Sequence, residues 1–161
     1  ILSIRPYENG DRDPALAICI AAFAPIHEGF RAALGERIFE LQYGDWQDQY
    51  AATFDRLSQA DEATQVYVAE ADGKLAGFVF TILDAARKTG EIGLNAVAPG
   101  YQGHGFGREM YDFALGRLKE RGAEIAYVGT GSDAAHAPAR RAYEAAGFDK
   151  IIPTRHYFRL L

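Results

Sequence analysis

Val97-Ala98-Pro99-Gly100-Tyr101-Gln102-Gly103-His104-Gly105-Phe106-Gly107-Arg108 is the stretch from which the rest of the chain can be read. Residues 90–97 (GEIGLNAV) before it read as a strand, stopped by Pro99-Gly100. After it, Phe106, Met110, Phe113, Ala114 and Leu118 recur at helical spacing. Arg117, Lys119 and Arg121 suit the C-terminal end of that helix, and Gly122 suits its stop. A glycine-rich turn therefore joins a strand to a helix. Glycines there let the backbone approach a ligand and turn its N–H groups inward. The helix N-terminus behind them adds partial positive charge, so the turn is suited to phosphate. Arg108 adds one charged donor. The spacing is G-x-G-x-G, whereas the dinucleotide fingerprint requires G-x-G-x-x-G, and no Lys-Ser/Thr pair follows as in a Walker loop.

Working outward, Gly93 and Asn95 weaken the preceding strand and point to a bulge or a close approach by another group. Asp72-Gly73 is a two-residue hairpin signal between residues 65–71 (QVYVAEA) and 74–83 (KLAGFVFTIL). Residues 2–6 read as a first strand and 124–130 as another. Asp13-Pro14 opens a helix with Leu16, Ala17, Ile20 and Phe23 on one face. Further helical stretches cover 28–43 and 46–57, and a short helix is opened by Pro138 and closed by Gly147. The tail, 148–152 and 155–161, reads as a final strand pair around Pro153. The helix between Val97 and Glu124 implies a parallel crossover in an otherwise antiparallel sheet.

Composition narrows the function. The 161 residues are 48% hydrophobic and 24% charged, which is ordinary globular usage and argues against disorder. No repeat or linker divides them, so one domain over residues 1–161 is expected. The net charge of −5 argues against a nucleic-acid partner, since such binding rests on a positive field. The lone Cys19 excludes an internal disulfide, fits a reducing compartment and reads as a small buried hydrophobe. No apolar run approaches the ~18 residues of a membrane span, so a cytoplasmic protein without a membrane partner is expected. The chain begins at Ile1 without a signal-peptide layout, so a Met or short leader removed earlier is an open expectation. The four histidines are scattered without metal-ligand spacing, so no metal is expected. Ser132, Asp133 and His136 read as turn and cap residues.

The run from Val97 to Gly107 resembles the V-x-P-x-[Y]-[Q/R]-x-x-G-x-[G/A] signature of the GNAT (GCN5-related) N-acetyltransferases. About 40 residues further on, Ala139-Arg140-Arg141-Ala142-Tyr143-Glu144-Ala145-Ala146-Gly147-Phe148 is similar to their second signature, A-x-x-x-Y-x-x-x-G-F. The resemblance implies an α/β (α+β) fold. It would have a mixed, mostly antiparallel sheet, a bulged central strand splayed around the cofactor, and helices on both faces. It implies acetyl-CoA, with the pyrophosphate on Gln102, Gly103, His104, Gly105, Phe106, Gly107 and Arg108. The pantetheine arm would pair along Leu94, Asn95, Ala96 and Val97. His136 stands where the family often has Asn, and with Ala139 and Tyr143 it is expected beside the cofactor. Homodimer formation would be family habit.

Acetyl transfer to an amine needs a base, because an alkylammonium with a pKa near ~10.4 cannot attack. Glu91 is the expected base, directly or through water, and simple alternation puts it on one face with Gly93, Asn95 and Val97. Tyr143, the motif tyrosine, is the expected acid toward the thiolate. A backbone N–H of Ala96 or Val97 is expected to serve the oxyanion. Acceptors in the family lie between the early helices and the tail. Glu28, Phe30, Tyr43 and Trp46 are the residues expected there, a carboxylate and aromatics that suit a cationic amine, small molecule or peptide. Two other classes stand beside the acyltransferase. One is a non-catalytic CoA-binding sensor, which loss of Glu91 and Tyr143 would have favoured. The other is a nucleotide-binding protein, which lacks a lysine beside the glycines.

Overall fold

The computed structural model describes residues 1–59 and 61–161. One sheet has the order β1 (Ser3–Pro6), β2 (Thr64–Ala71), β3 (Lys74–Asp84), β4 (Thr89–Val97) and β5 (Ile125–Val128). All neighbours run antiparallel except β4 and β5, which are parallel. Helix α4 (Phe106–Glu120) makes the crossover between those two, as a parallel pair requires. Between β2 and β3, Asp72 and Gly73 both take positive φ, 53° and 74°, the conformation of a tight hairpin turn.

Two helical layers cover the sheet. On one face lie α1 (Arg12–Leu34), α2 (Glu36–Tyr43) and α3 (Trp46–Asp55). Ala15, Ile18 and Cys19 of α1 and Phe54 of α3 pack there on Val66, Val68, Phe78, Phe80 and Ala96. On the other face, Met110, Tyr111, Ala114 and Leu118 of α4 and Tyr143 of α5 (Ala137–Ala145) pack on Tyr67, Ala69, Val79 and Ile92. Strand alternation thus sends neighbouring residues into two separate cores. Gly77 permits the α4 contact, because a Cβ there would lie 2.8 Å from Met110 Sδ and 2.7 Å from Ala96 O. Cys19 is buried, and burial pushes its thiol up to about 12.

Four sequence expectations are corrected. The first helix does not stop before Glu28. It runs through Pro25, which sits on its exposed side, and breaks at Gly35 with φ 78°. The span Asn9–Leu34 is, by length and composition, apolar enough to cross a membrane, although no uninterrupted apolar run marks it. Here its Ala15, Ile18 and Cys19 are buried against the sheet. The tail forms no strand pair among the described residues. Residues 149–161 have no regular secondary structure and are exposed, Pro153 offers no N–H to a ladder, and Phe158 instead has its ring centroid 6.5 Å from that of Tyr43. The fourth correction concerns Glu91, and it follows from the bulge.

Candidate active site

The site is built on an irregularity in β4. Ile92 stands opposite Thr81 and Asn95 opposite Val79, so both Gly93 and Leu94 face the single residue Phe80. That is a β-bulge, and it reverses the alternation of everything after it. Before the bulge Glu91 pairs with Ile82, and a Cβ on Gly93 would meet Ile82 and Phe80, so Glu91 and Gly93 face the α1–α3 layer. After it, Asn95 bonds Tyr111 and Tyr143, and Val97 packs in the opposite core, so both face α4 and α5. Glu91 therefore does not share a face with Asn95 and Val97. One extra residue separates them, and simple alternation does not contain it.

The same strand then loses its neighbour. Pairing with β5 ends at Ile92 opposite Val128, and residues 93–97 run on past it. Ala98 N–H donates to Ala76 O at 2.7 Å, so Ala96, two residues back, also turns its backbone toward β3. Asn95 and Val97 turn theirs the other way, into the opening between β4 and β5. The carbonyl of Val97 accepts a bond there from Gln102 Nε2 at 3.1 Å. This selects Val97 over Ala96 as an outward N–H donor. It also removes Ala96, and Leu94 of the same parity, from the residues whose backbone lines the opening. Both pack toward the α1 core.

The glycine turn closes one end of the opening. Gly103 and Gly105 have φ of 80° and 82°, in the left-handed region that L side chains avoid. A Cβ at either would meet nothing within 4 Å, so the demand is conformational and leaves the backbone open to approach. The ladder of α4 begins with Glu109 N–H donating to Gly105 O at 3.1 Å. The amides of Phe106, Gly107 and Arg108 thus stand at the open, positive end of the helix. His104 is exposed, with Nδ1 3.0 Å from Gln102 O, Phe106 stacks on Tyr101, and Arg108 is exposed beside Asp112 at 3.6 Å.

Tyr143 reaches the opening from α5 and is only 6% exposed. Its oxygen accepts from Asn95 Nδ2 at 3.0 Å, Asn95 Nδ2 also donates to Gly93 O at 2.9 Å, and Tyr111 O–H donates to Asn95 Oδ1 at 2.7 Å. Ala139 packs in the same core. The loop before α5 is clamped by Arg140 Nη1, which donates to Gly131 O and Asp133 O, both at 2.7 Å. His136 Nδ1 lies 2.5 Å from Asp133 Oδ1, so that nitrogen is already engaged with the loop. On the opposite face, Glu91 Oε2 accepts from Tyr127 O–H at 3.0 Å, and this contact raises the Tyr127 pKa.

The helical layer on Glu91's face carries an aromatic cluster. His27 is buried, stacks on Trp46 at 4.2 Å, and has Phe30 and Tyr43 edge-on at 5.6 and 5.9 Å. Phe30 reaches His136 at 6.5 Å, linking the cluster to the α5 wall. Burial, and the nearby His136, lower the His27 pKa, and its Nδ1 has no hydrogen-bond partner among the described residues. Phe30, Tyr43 and Trp46 are thus brought together, whereas Glu28 is exposed and within 3.8 Å of Arg31. Sequence reasoning missed His27, Tyr111 and Tyr50, whose hydroxyl lies 3.2 Å from His27 Nε2. The stripe Gly107, Tyr111, Ala114, Leu118 has helical spacing and marks Tyr111 as inward.

A family model for the Acetyltransferase (GNAT) family matches residues 35–148. The mycothiol acetyltransferase of Streptomyces avermitilis is 30% identical over 148 residues, covering 91% of this chain and 42% of that protein. The chain therefore spans less than half the length of this curated relative. The ribosomal-protein-S18-alanine N-acetyltransferase of Escherichia coli superposes with a TM-score of 0.71 at 22% identity, over 99% of this chain and 85% of that one. A GNAT family acetyltransferase of Brucella melitensis, solved with acetyl-CoA, superposes with a TM-score of 0.64 at 22% identity, over 93% and 84%. The bulged and splayed β4, the glycine turn opening α4 and the tyrosine on α5 agree with the matched sequence, and the chain belongs to the GNAT acetyltransferase family.

Proposed function

We propose that the chain is an acetyl-CoA-dependent N-acetyltransferase, working as one domain, that moves an acetyl group from the CoA thioester to a primary amine by direct attack. The observation that carries this reading is the free edge of β4. The outward backbone of Asn95 and Val97 runs from the Tyr143 hydroxyl toward the amides that open α4. An extended, amide-bearing arm ending in a pyrophosphate fits an open strand edge that leads to a helix N-terminus. Acetyl-CoA is the usual cosubstrate of the family, and the Brucella melitensis neighbour was solved with it.

The two faces of β4 divide the chemistry. Glu91, on the α1–α3 side, takes the proton of the ammonium directly or through a water, and the amine nitrogen forms its bond to the acetyl carbon. The Val97 N–H, turned outward, donates to the oxygen as charge develops on it. The C–S bond breaks with its electron pair on sulfur, Tyr143 gives its phenolic proton to that sulfur, and free CoA thiol leaves. The attacking nitrogen loses its second proton to solvent as the amide forms, Glu91 releases the first, and the phenolate regains one from solvent, so each turnover releases one net proton.

The aromatic cluster of Phe30, Tyr43 and Trp46 lies on Glu91's side and suits an amine with apolar or cationic character. The mycothiol acetyltransferase relative supports a small-molecule acceptor. The test is thiol release from acetyl-CoA across a panel of primary amines, with the acetylated product identified by mass. Amine-dependent release that yields an N-acetyl product supports the reading. Tight CoA binding with no turnover on any amine would favour the non-catalytic sensor instead.

A further inference from the structure

We propose that Asn95 and Tyr111 are positioning residues that fix which way the Tyr143 hydroxyl presents its proton. This rests on the reading of Tyr143 as the acid in the proposed reaction. A tyrosine hydroxyl is both donor and acceptor, and as an acid it is useful only if its proton is not spent on a neighbour. The network here is directional. Tyr111 can only donate to Asn95 Oδ1, at 2.7 Å, because that oxygen offers no hydrogen. The bond holds the Asn95 amide with its nitrogen toward Tyr143, where Nδ2 donates to the hydroxyl oxygen at 3.0 Å. The oxygen of Tyr143 is thereby an acceptor from Asn95, and the amide does not take the Tyr143 proton.

Three further observations keep this direction fixed. The second hydrogen of Asn95 Nδ2 goes to Gly93 O at 2.9 Å, so reversing the amide would set two oxygens against each other at the bulge. Tyr111 is 4% exposed, and burial, with Tyr143 beside it, raises its pKa, so it stays a donor throughout the working range. The Tyr111 and Tyr143 rings lie 4.8 Å apart, which fixes both hydroxyls around the one amide. The bulge therefore does two jobs through Asn95. It opens the strand edge, and it orients the acid that faces the opening.

The test uses Tyr143→Phe, Asn95→Asp, Tyr111→Phe and the doubles of each with Tyr143→Phe. Thiol release from acetyl-CoA is followed with tyramine, spermidine and an alanine-terminated peptide as acceptors, and acetyl-CoA affinity is measured by calorimetry. Asn95→Asp is nearly isosteric but replaces the donor with an acceptor, so the Tyr143 proton is captured by the carboxylate. The expected result is a loss in kcat of about 10- to 100-fold for Asn95→Asp and a smaller one for Tyr111→Phe, part of the ~100-fold or more that an acid supplies. Acetyl-CoA affinity should stay within about twofold, and neither change should cost anything further in the Tyr143→Phe background. Full additivity with Tyr143→Phe, or wild-type kcat in Asn95→Asp, would overturn the positioning role while leaving the acetyltransferase reading intact. A Tyr143→Phe enzyme with wild-type kcat would remove the acid itself. Failure of the unmodified protein to bind acetyl-CoA would remove the function and this inference together.

Discussion

Glu91 and Asn95, four residues apart on β4, face opposite sides of the sheet, because Gly93 and Leu94 together occupy one position opposite Phe80. The carboxylate is left on the side of the α1–α3 aromatic cluster and the amide on the side of Tyr143. In the proposed reaction, this lets a proton acceptor and a proton donor reach one bond from opposite directions without neutralising each other.

Glu91→Gln keeps the shape and the Tyr127 contact while removing the proposed base. The expected outcome is a fall in kcat of about 100-fold with acetyl-CoA affinity unchanged. The rising limb of the pH–rate profile should move toward the ammonium's own value near ~10.4. Steady-state rates between mildly acidic and alkaline pH check this. An unchanged profile would assign deprotonation to ordered water.

Two glycines separate close packing from mere flexibility. A Cβ on Gly77 would meet Ala96 O at 2.7 Å and Met110 Sδ at 2.8 Å, so Gly77→Ala should cost about 1–3 kcal/mol through overpacking between β3 and α4. Gly116 lies within α4 with nothing inside 4 Å, so Gly116→Ala should instead gain about 0.5–1 kcal/mol. Chemical denaturation of the two variants gives the comparison, and opposite signs are the expected result.

Acid stability should depend on the N-terminal corner. Arg5 donates to both Asp11 oxygens at 2.8 Å and to Glu70 at 2.7 Å, and Glu8 N–H donates to Asp11 Oδ2 at 2.8 Å. The Arg5 bond, aided by the Glu8 amide and opposed by burial, holds the Asp11 carboxyl below its ordinary value. A depressed carboxyl stabilises the fold fully above its unfolded pKa of about 3.9 and loses that contribution as pH falls through the folded value. Asp11→Asn should cost about 1.5–3 kcal/mol near neutrality, a Tm drop of roughly 3 to 12 °C. The gap to wild type should narrow below about pH 4. Thermal melts at neutral and acidic pH measure it, and a gap independent of pH would contradict the ion-pair account.

The hairpin, the crossover helix and the glycine turn were legible in the sequence because each is a local signal. Asp72-Gly73 sets its own φ values, and Gly105 sets its own at the start of α4. The bulge was only half legible. Gly93 and Asn95 flagged a weak strand, but which residues double up depends on Phe80 across the sheet, and no residue of β4 encodes that. The face of Glu91 and the choice of Val97 over Ala96 depended on this count. Tyr111 was hidden because a buried tyrosine on a helix looks like any core aromatic until its hydroxyl partner, Asn95, is placed 16 residues away. The tail differs from its expected strand pair because residues 149–161 lie exposed and Pro153 offers no N–H to a ladder.

If the glycine turn and the free edge of β4 together hold acetyl-CoA, a calorimetric titration will show it. Wild-type protein should bind acetyl-CoA and CoA at micromolar strength and ATP and NAD far more weakly. Gly105→Glu, which places a carboxylate and a strained φ of 82° at the start of α4, should abolish binding while circular dichroism shows the fold retained. No binding of any CoA species at millimolar concentration, or Gly105→Glu binding as tightly as wild type, would contradict the account.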